Sequence, residues 1–272
     1  ASAYQGAGVP EYLAQGPNYN FIEPQARRFI GLGNWITGIT DPLFWKSIFN
    51  ICYNQAWFIC LTLVISLGVA LLLKQVETGG RLFRTIYFTP QVCSVVVVMT
   101  LGVYMVGPSG PIQTFLLSAG VLETPVYWQF DERITMPMLA MINTWKWFGI
   151  QTVIFLAGLI GIEPALYEAA ELDGASAWQR FWNITLPQLN PQIVFVLVTN
   201  VINGLQMFTE VFMNFDLYGG MKNQALTPVL YLYGKAFDRF NMGYASSLGL
   251  LLAGLIFLLT LVQLKLVQRE ID

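Results

Sequence analysis

The chain contains no histidine, and only 11% of its 272 residues are charged, against about 25% in an average soluble domain. Without imidazole it lacks the usual proton-shuttling base, the usual haem ligand and the common zinc sites. No run of Lys or Arg is long enough to follow a phosphate backbone and the net charge is −2, which argues against nucleic acid as a partner. A phosphate-binding loop of the type GxxxxGK[ST] is also missing, since the only Gly-Lys pair, Gly234-Lys235, is followed by Ala236; any ATP must be handled by another subunit. The three cysteines, Cys52, Cys60 and Cys93, form neither a CxxC pair nor a disulfide framework. Each falls in an apolar run and reads as a small packed hydrophobe. There is no repeat of fixed period and no low-complexity tract.

What is present is apolar: 55% of the residues are hydrophobic. A bilayer core needs about 20 such residues in helical form, and five stretches meet that need, at 47–73, 85–106, 135–162, 191–213 and 244–267. The expected fold class is all-α, a polytopic transmembrane helical bundle. Lys74, Arg81 and Arg84 in KQVETGGRLFR form the densest basic cluster, which places that loop in the cytoplasm. Alternation then puts 107–134 and 214–243 outside, and 163–190 and the tail 268–272 inside. The turn formers GPSGP and YGG, and a short helix near 228–238, are expected in the outer loops. Residues 1–46 become an extracytoplasmic segment, although ASAYQGAGVPEYLAQG has neither the basic start nor the apolar run of a signal peptide. A sixth, upstream helix is therefore expected; the alternative is a tail carried across unaided.

Between two of the most apolar runs lies YEAAELDGASAWQRFWNITLPQL, residues 167–189. Pro164 suits a first helical turn, and Gly174 supplies the left-handed conformation that ends a helix. Ser176 can cap a second helix, AWQRFWNI, which Pro187 discourages from continuing. Leu166, Ala169, Ala170 and Asp173 share one side of the first helix; Trp178, Phe181, Trp182 and Thr185 form a flank of the second. An aromatic-faced helix at the membrane surface needs a groove to fill, in this chain, at the bilayer surface or in another protein.

Polar residues inside spans are costly and face a cavity or another helix. On the fourth span Thr199, Asn200, Asn203, Gln206 and Glu210 fall within about 120 degrees of arc at the helical period, and Asn143, Trp147 and Gln151 form a looser face on the third. Amides pair with hydroxyls and an indole covers the C–H face of a sugar ring. The same amides also serve to lock helices together. Lys146 lies about 16 Å into its span. Attraction of an anionic group, pairing with an acid, and snorkelling all remain open for it. Glu210 sits nearer the outer end. Asn183, in N-I-T, matches a glycosylation pattern but is expected on the cytoplasmic side.

Glu168, Ala169, Ala170, then Gly174, then Ile184, Leu186 and Pro187 reproduce the spacing of the EAA loop in the membrane subunits of binding-protein-dependent ABC importers. FIGLGNW at 29–35, LFRTIYFTPQV, NTWKWFGIQTVIFLAGLIGIEPALYEAAELDGAS and FNMGYASSLGLLLAG resemble segments of the carbohydrate-importer permeases related to the maltose and glycerol-phosphate transporters. DLYGGMKN departs from that pattern, so its residues inherit no role. The resemblance implies a permease domain over 47–267 in the bacterial inner membrane, surrounded by lipid. A second, similar permease, two ATPase subunits that use ATP and Mg, and an extracytoplasmic solute-binding protein complete the assembly it implies. Residues 163–190 would be the coupling loop seated in the ATPase, with Glu168, Ala169, Ala170, Gly174, Ile184, Leu186 and Pro187 as its contacts. Asn143, Trp147, Gln151, Asn200, Asn203, Gln206 and Met207 would line the carbohydrate pathway. No cofactor and no catalytic residue is expected in the chain itself. The rival readings are a secondary transporter or channel, an intramembrane enzyme, a noncatalytic assembly subunit and, among importers, a different solute such as glycerol phosphate.

Overall fold

Asp41 launches the first long helix: its carboxylate accepts the backbone N–H of Leu43 at 2.9 Å, and Pro42 takes the first helical position, where its missing N–H costs nothing. The computed structural model describes residues 31–75 and 80–268, with the side chains of 80–84 and 266–268 excepted. Most of the N-terminal segment, the loop 76–79 and residues 269–272 of the expected tail thus lie outside the described residues, as do the side chains of Arg81 and Arg84 from the basic cluster. Residues Asn34–Asp272 form one unit; of the preceding unit only 31–33 are described, a turn entering a helix.

All regular structure among the described residues is helical. In order come α1 (Gly33–Thr40), α2 (Pro42–Lys74), α3 (Gly80–Val92), α4 (Val95–Val106), α5 (Pro111–Ser118), α6 (Thr135–Gly161), α7 (Pro164–Leu172), α8 (Ala177–Arg180), α9 (Asn190–Leu205), α10 (Thr209–Phe212), α11 (Pro228–Tyr233) and α12 (Met242–Gln268). The expected short helix in the last outer loop is present as α11 with a wider turn at Gly234–Asp238. Among the described residues three segments are long and apolar enough to cross a membrane, Pro42–Lys74, Val95–Ser118 and Met242–Lys265. Thr135–Gly161 with Pro164–Leu172 makes a fourth if that pair, bent by 65°, is counted as one. Large apolar side chains such as Phe49, Val64, Leu72 and Phe257 stand exposed on the outside of these helices, where hydrocarbon rather than water would meet them.

Two of the five expected spans are interrupted. The run 85–106 is split at Cys93 and Ser94 into α3 and α4. Pro90 sits inside the last turns of α3, where its ring and its missing N–H weaken the helix. The run 191–213 ends at Leu205, and after a break at residues 206–208 only the single turn α10 follows. The cysteines also depart from expectation: Cys52, Cys60 and Cys93 are free and exposed on the bundle surface rather than packed inside it.

The core falls into two clusters at different heights. One gathers Phe44, Ile51, Met99, Trp128, Leu139, Leu205 and Leu230; the other gathers Ala70, Phe155, Leu159, Leu189 and Val196. Helices α2 and α6 run through both, tied midway by Thr62 and Thr144, whose hydroxyls lie 3.2 Å apart. At the first end, α2 is anchored to the loops. The Asn50 amide donates to the carbonyls of Asn223 and Leu226 at 2.8 and 3.0 Å, Lys46 donates to the carbonyl of Lys222 at 2.6 Å, and Lys46 pairs with Glu132 at 3.7 Å. At the other end, the Lys74 ammonium sits 4.6 Å from the centre of the Tyr167 ring. Loops 107–134 and 214–243 thus meet at one end of the bundle and residues 163–190 occupy the opposite end.

A latch closes the first end. The Asp41 carboxylate accepts the hydroxyls of Tyr231 and Tyr244, both at 2.5 Å, joining α2 to α11 and α12. Burial raises the carboxyl, but the two tyrosine hydroxyls and the N–H groups of Leu43 and Phe44 outweigh it and hold Asp41 below its ordinary value. Burial first, and then the Asp41 charge, push the Tyr231 hydroxyl upward, so it stays a donor. A lowered native value means that the stabilisation is complete above the ordinary 3.8 and disappears as pH falls through the native value. The thermal midpoint of Asp41→Asn is therefore expected below wild type at neutral pH, with the gap closing on acidification below about pH 4. A gap that stays constant with pH would refute the latch.

Candidate functional site

The first candidate element is the bent segment after α6. Pro164 is at the start of α7, and Gly174 has φ +78°, the left-handed value that ends the helix. Ser176 begins α8 with a full capping box: its hydroxyl accepts the Gln179 N–H at 3.3 Å, and the Gln179 side chain accepts the Ser176 N–H at 2.7 Å. The expected stop at Pro187 does not occur. The chain passes from α8 through a π turn, Phe181–Thr185, and a further turn, Leu186–Gln188, almost directly into α9. In the π turn the Leu186 N–H reaches back to the Phe181 carbonyl. The widened turn gives the Pro187 ring room and does without its N–H.

The two arms of the bend are braced against each other by the Tyr167 and Thr185 hydroxyls, 2.9 Å apart, and by an ion pair between Arg180 and Glu171. Ile184 and Tyr167 pack on the cluster around Phe155 and Leu159, so the bend has a fixed seat on the bundle. Its far face does not. Helix α7 has no buried residue, and Leu172 and Trp178 are 90% and 69% exposed. Glu168, Ala169, Gly174 and Pro187 are exposed, while Ala170, Ile184 and Leu186 are half-buried. Trp178, Phe181 and Trp182 pack together with ring centres 5.5–6.0 Å apart, Trp178 stacked on Phe181 and Trp182 edge-on to both. An open aromatic and aliphatic face of this kind marks an interaction surface.

The second candidate element is a narrow cleft of about 70 Å³, lined by Gln55, Phe58, Asn143, Trp147, Asn200, Asn203, Gly204, Met207 and Glu210. Gln55 lies thirteen residues into α2, about 20 Å by helical rise, so the cleft is near the middle of the bundle. Five of the seven expected pathway residues, Asn143, Trp147, Asn200, Asn203 and Met207, meet here. Gln151 stands behind them, and its amide donates to the Asn200 side-chain oxygen at 2.8 Å. Gln206 is not brought in: α9 has already ended, and its amide turns back to the Ile202 carbonyl at 2.8 Å. Gln55, Phe58 and Gly204 were not singled out by sequence. The signal for Gln55 was its place in an apolar run. For Gly204 there was none, yet a Cβ at that position would strike the Gln55 amide.

The cleft holds buried polar atoms without partners among the described residues: Oε1 of Gln55, Oδ1 of Asn143 and Nδ2 of Asn200. The parent side chains are 7%, 6% and 8% exposed. Buried polar atoms are almost always paired, so three on residues that line one cleft are an unusual concentration of unmet hydrogen-bonding capacity. Lys146 takes no direct part. Buried at 5% exposure, it donates to the Cys93 carbonyl at 3.0 Å, at the break between α3 and α4, with its ammonium 5.5 Å from the Trp147 ring centre. Lys146→Met is expected to leave that carbonyl unpaired and cost about 1–3 kcal/mol. The check is the thermal midpoint of the purified complex, and an unchanged value would remove the role.

The family model described as binding-protein-dependent transport system inner membrane component matches residues 61–271, which include the bend and all of the cleft lining except Gln55 and Phe58. The chain belongs to this family. It is 32% identical to the lactose transport system permease protein LacF of Rhizobium radiobacter, over 87% of this chain and 80% of that protein. It is 31% identical to the arabinooligosaccharides transport system permease protein AraP of Bacillus subtilis strain 168, over 92% and 79%. In structure it resembles a chain of a bacterial ABC transporter involved in the import of the acidic polysaccharide alginate, with a TM-score of 0.78, 24% identity, and coverage of 90% of this chain and 85% of that one. As a member of the family the chain is a non-catalytic, multi-pass inner-membrane subunit of a binding-protein-dependent transport system.

Proposed function

We propose that this chain is one of two similar permeases that together enclose the pathway of an ATP-driven carbohydrate importer. The single observation that carries this reading is the mid-bundle cleft with three unpartnered buried amide atoms beside the indole of Trp147. Amide donors and acceptors satisfy sugar hydroxyls, and the indole takes the apolar face of the ring. Asn143, Trp147, Asn200, Asn203 and Met207 line the path, Gln151 orients Asn200, and Gln206 is left outside. The relatives named for lactose and arabinooligosaccharides support the substrate class.

Five crossings are proposed for the described chain, with the interrupted α3–α4 and α9–α10 each counted as one, as broken helices are tolerated where they line a cavity. Residues 47–267 form the permease domain. The bend at 163–190 lies in the cytoplasm and seats in a separate ATPase through Glu168, Ala169, Ala170, Gly174, Ile184, Leu186 and Pro187; the preceding segment to residue 46 faces the other side, where a solute-binding protein delivers substrate. Two ATPase subunits bind ATP and Mg. Their closure draws the paired bends together and swings the helices around the cleft. The test is copurification of the four-subunit complex and reconstitution into liposomes with the binding protein. ATP-dependent uptake of a saccharide is expected; uptake that needs an ion gradient and no ATP would overturn the reading.

A further inference from the structure

The wall of the cleft also carries an ionisable group from the polar stripe of the fourth span. Glu210, on the single turn α10, lines the opening together with Gln55, Asn143, Asn200 and Asn203. Helix α9 ends at Leu205, and after the break at residues 206–208 the single turn α10 carries Glu210 to the wall of the cleft. The amides of the wall offer donors and acceptors, and Trp147 adds an indole N–H. Gln55 and Asn143 each present an unpartnered acceptor oxygen, and Asn200 presents one unpartnered donor nitrogen. The Glu210 carboxylate adds further acceptor capacity. Lys146 does not offset the carboxylate: its ammonium donates to the Cys93 carbonyl and it does not line the cleft.

We propose that Glu210 makes this cleft selective for uncharged saccharides over those that carry a carboxylate. The inference rests on the carbohydrate reading above and narrows it. A neutral sugar ring offers many O–H donors, which the Glu210 carboxylate can accept without charge repulsion. Replacing a hydroxymethyl by a carboxylate takes away a donor, puts two acceptor oxygens where there was one, and adds a negative charge. That charge would face Glu210 in a partly dehydrated space, where like charges repel far more strongly than in water. A site whose polar groups are left unpaired by the wrong ligand discriminates steeply.

The experiment measures equilibrium binding to the purified permease and ATPase complex without the solute-binding protein, whose own preference would otherwise mask that of the cleft. The probes are disaccharides of glucose, galactose and mannose, each against the same sugar oxidised at C6 to the uronate. Wild type is expected to favour the neutral member of any pair it binds by about tenfold or more. Glu210→Gln should shrink that ratio by about tenfold, and Glu210→Lys should bring it to unity or invert it. Retained binding of the neutral sugar by Glu210→Gln shows that the variant is folded. Equal binding of neutral and acidic members by wild type, or a ratio unchanged in Glu210→Gln, overturns the inference while the carbohydrate reading stands. Binding of none of the six probes by wild type overturns the carbohydrate reading and this inference with it.

Discussion

Gly174→Pro is expected to abolish ATP-driven uptake in the reconstituted complex while ATP hydrolysis continues. Space is not the reason, since a Cβ at this position would meet nothing within 4 Å. The reason is the backbone: φ is +78°, and proline is held near −65°. The two arms of the bend would have to meet at a different angle, pulling Tyr167 away from Thr185 and Arg180 away from Glu171. A graded series separates conformation from bulk. Asparagine enters the left-handed region most readily after glycine and should keep most of the uptake. Alanine pays roughly 1–2 kcal/mol and should lose part of it, and valine should lose more. The measurement is saccharide transported per ATP hydrolysed, and unchanged coupling in the proline variant would reject the lever.

The second large effect is expected at the cleft. Asn143→Ala and Asn200→Ala should each weaken saccharide binding by about tenfold or more, since a buried hydrogen bond to a sugar hydroxyl is lost from a site built to make it. Asn200→Ala should be the more severe, because it also strips Gln151 of its 2.8 Å partner. Gly204→Ala reaches the same cleft from another side: its methyl displaces the Gln55 amide, which is packed on the bare backbone of Gly204. The saccharide concentration that gives half-maximal uptake is the readout, alongside the basal ATPase rate. If binding weakens only in step with a falling thermal midpoint, the amides lock helices and do not hold substrate.

The bend was legible in sequence because its signals are local. Pro164, Gly174 and the Ser176–Gln179 box each fix a few backbone angles without help from distant residues. Pro187 misled because its effect depends on the turn before it, and the π turn at 181–185 changes the geometry into which the ring must fit. The polar stripe of the fourth span was legible only as far as the helix runs. Counting at 100 degrees per residue held for Asn200 and Asn203 and failed at Gln206, the first residue past the end of α9. Gln55 was hidden among neighbours of the same kind: Asn50 and Asn54 on the same helix bind loop and helix carbonyls at 2.8–3.0 Å, and sequence does not separate an anchor from a liner. The exposed cysteines were misjudged because a lipid-facing surface and a protein core have the same composition.

The wide turn at Phe181–Thr185 also sets the azimuth of the aromatic trio. A π turn spends about one residue more than an α turn, so it rotates everything before it by roughly 100 degrees about the common axis. Deleting one residue there would spin Trp178 to a new compass bearing and set the Pro187 ring against the turn before it. The direction in which the indoles point is thus written in the residue count of a single turn, independently of the composition of the surface they meet.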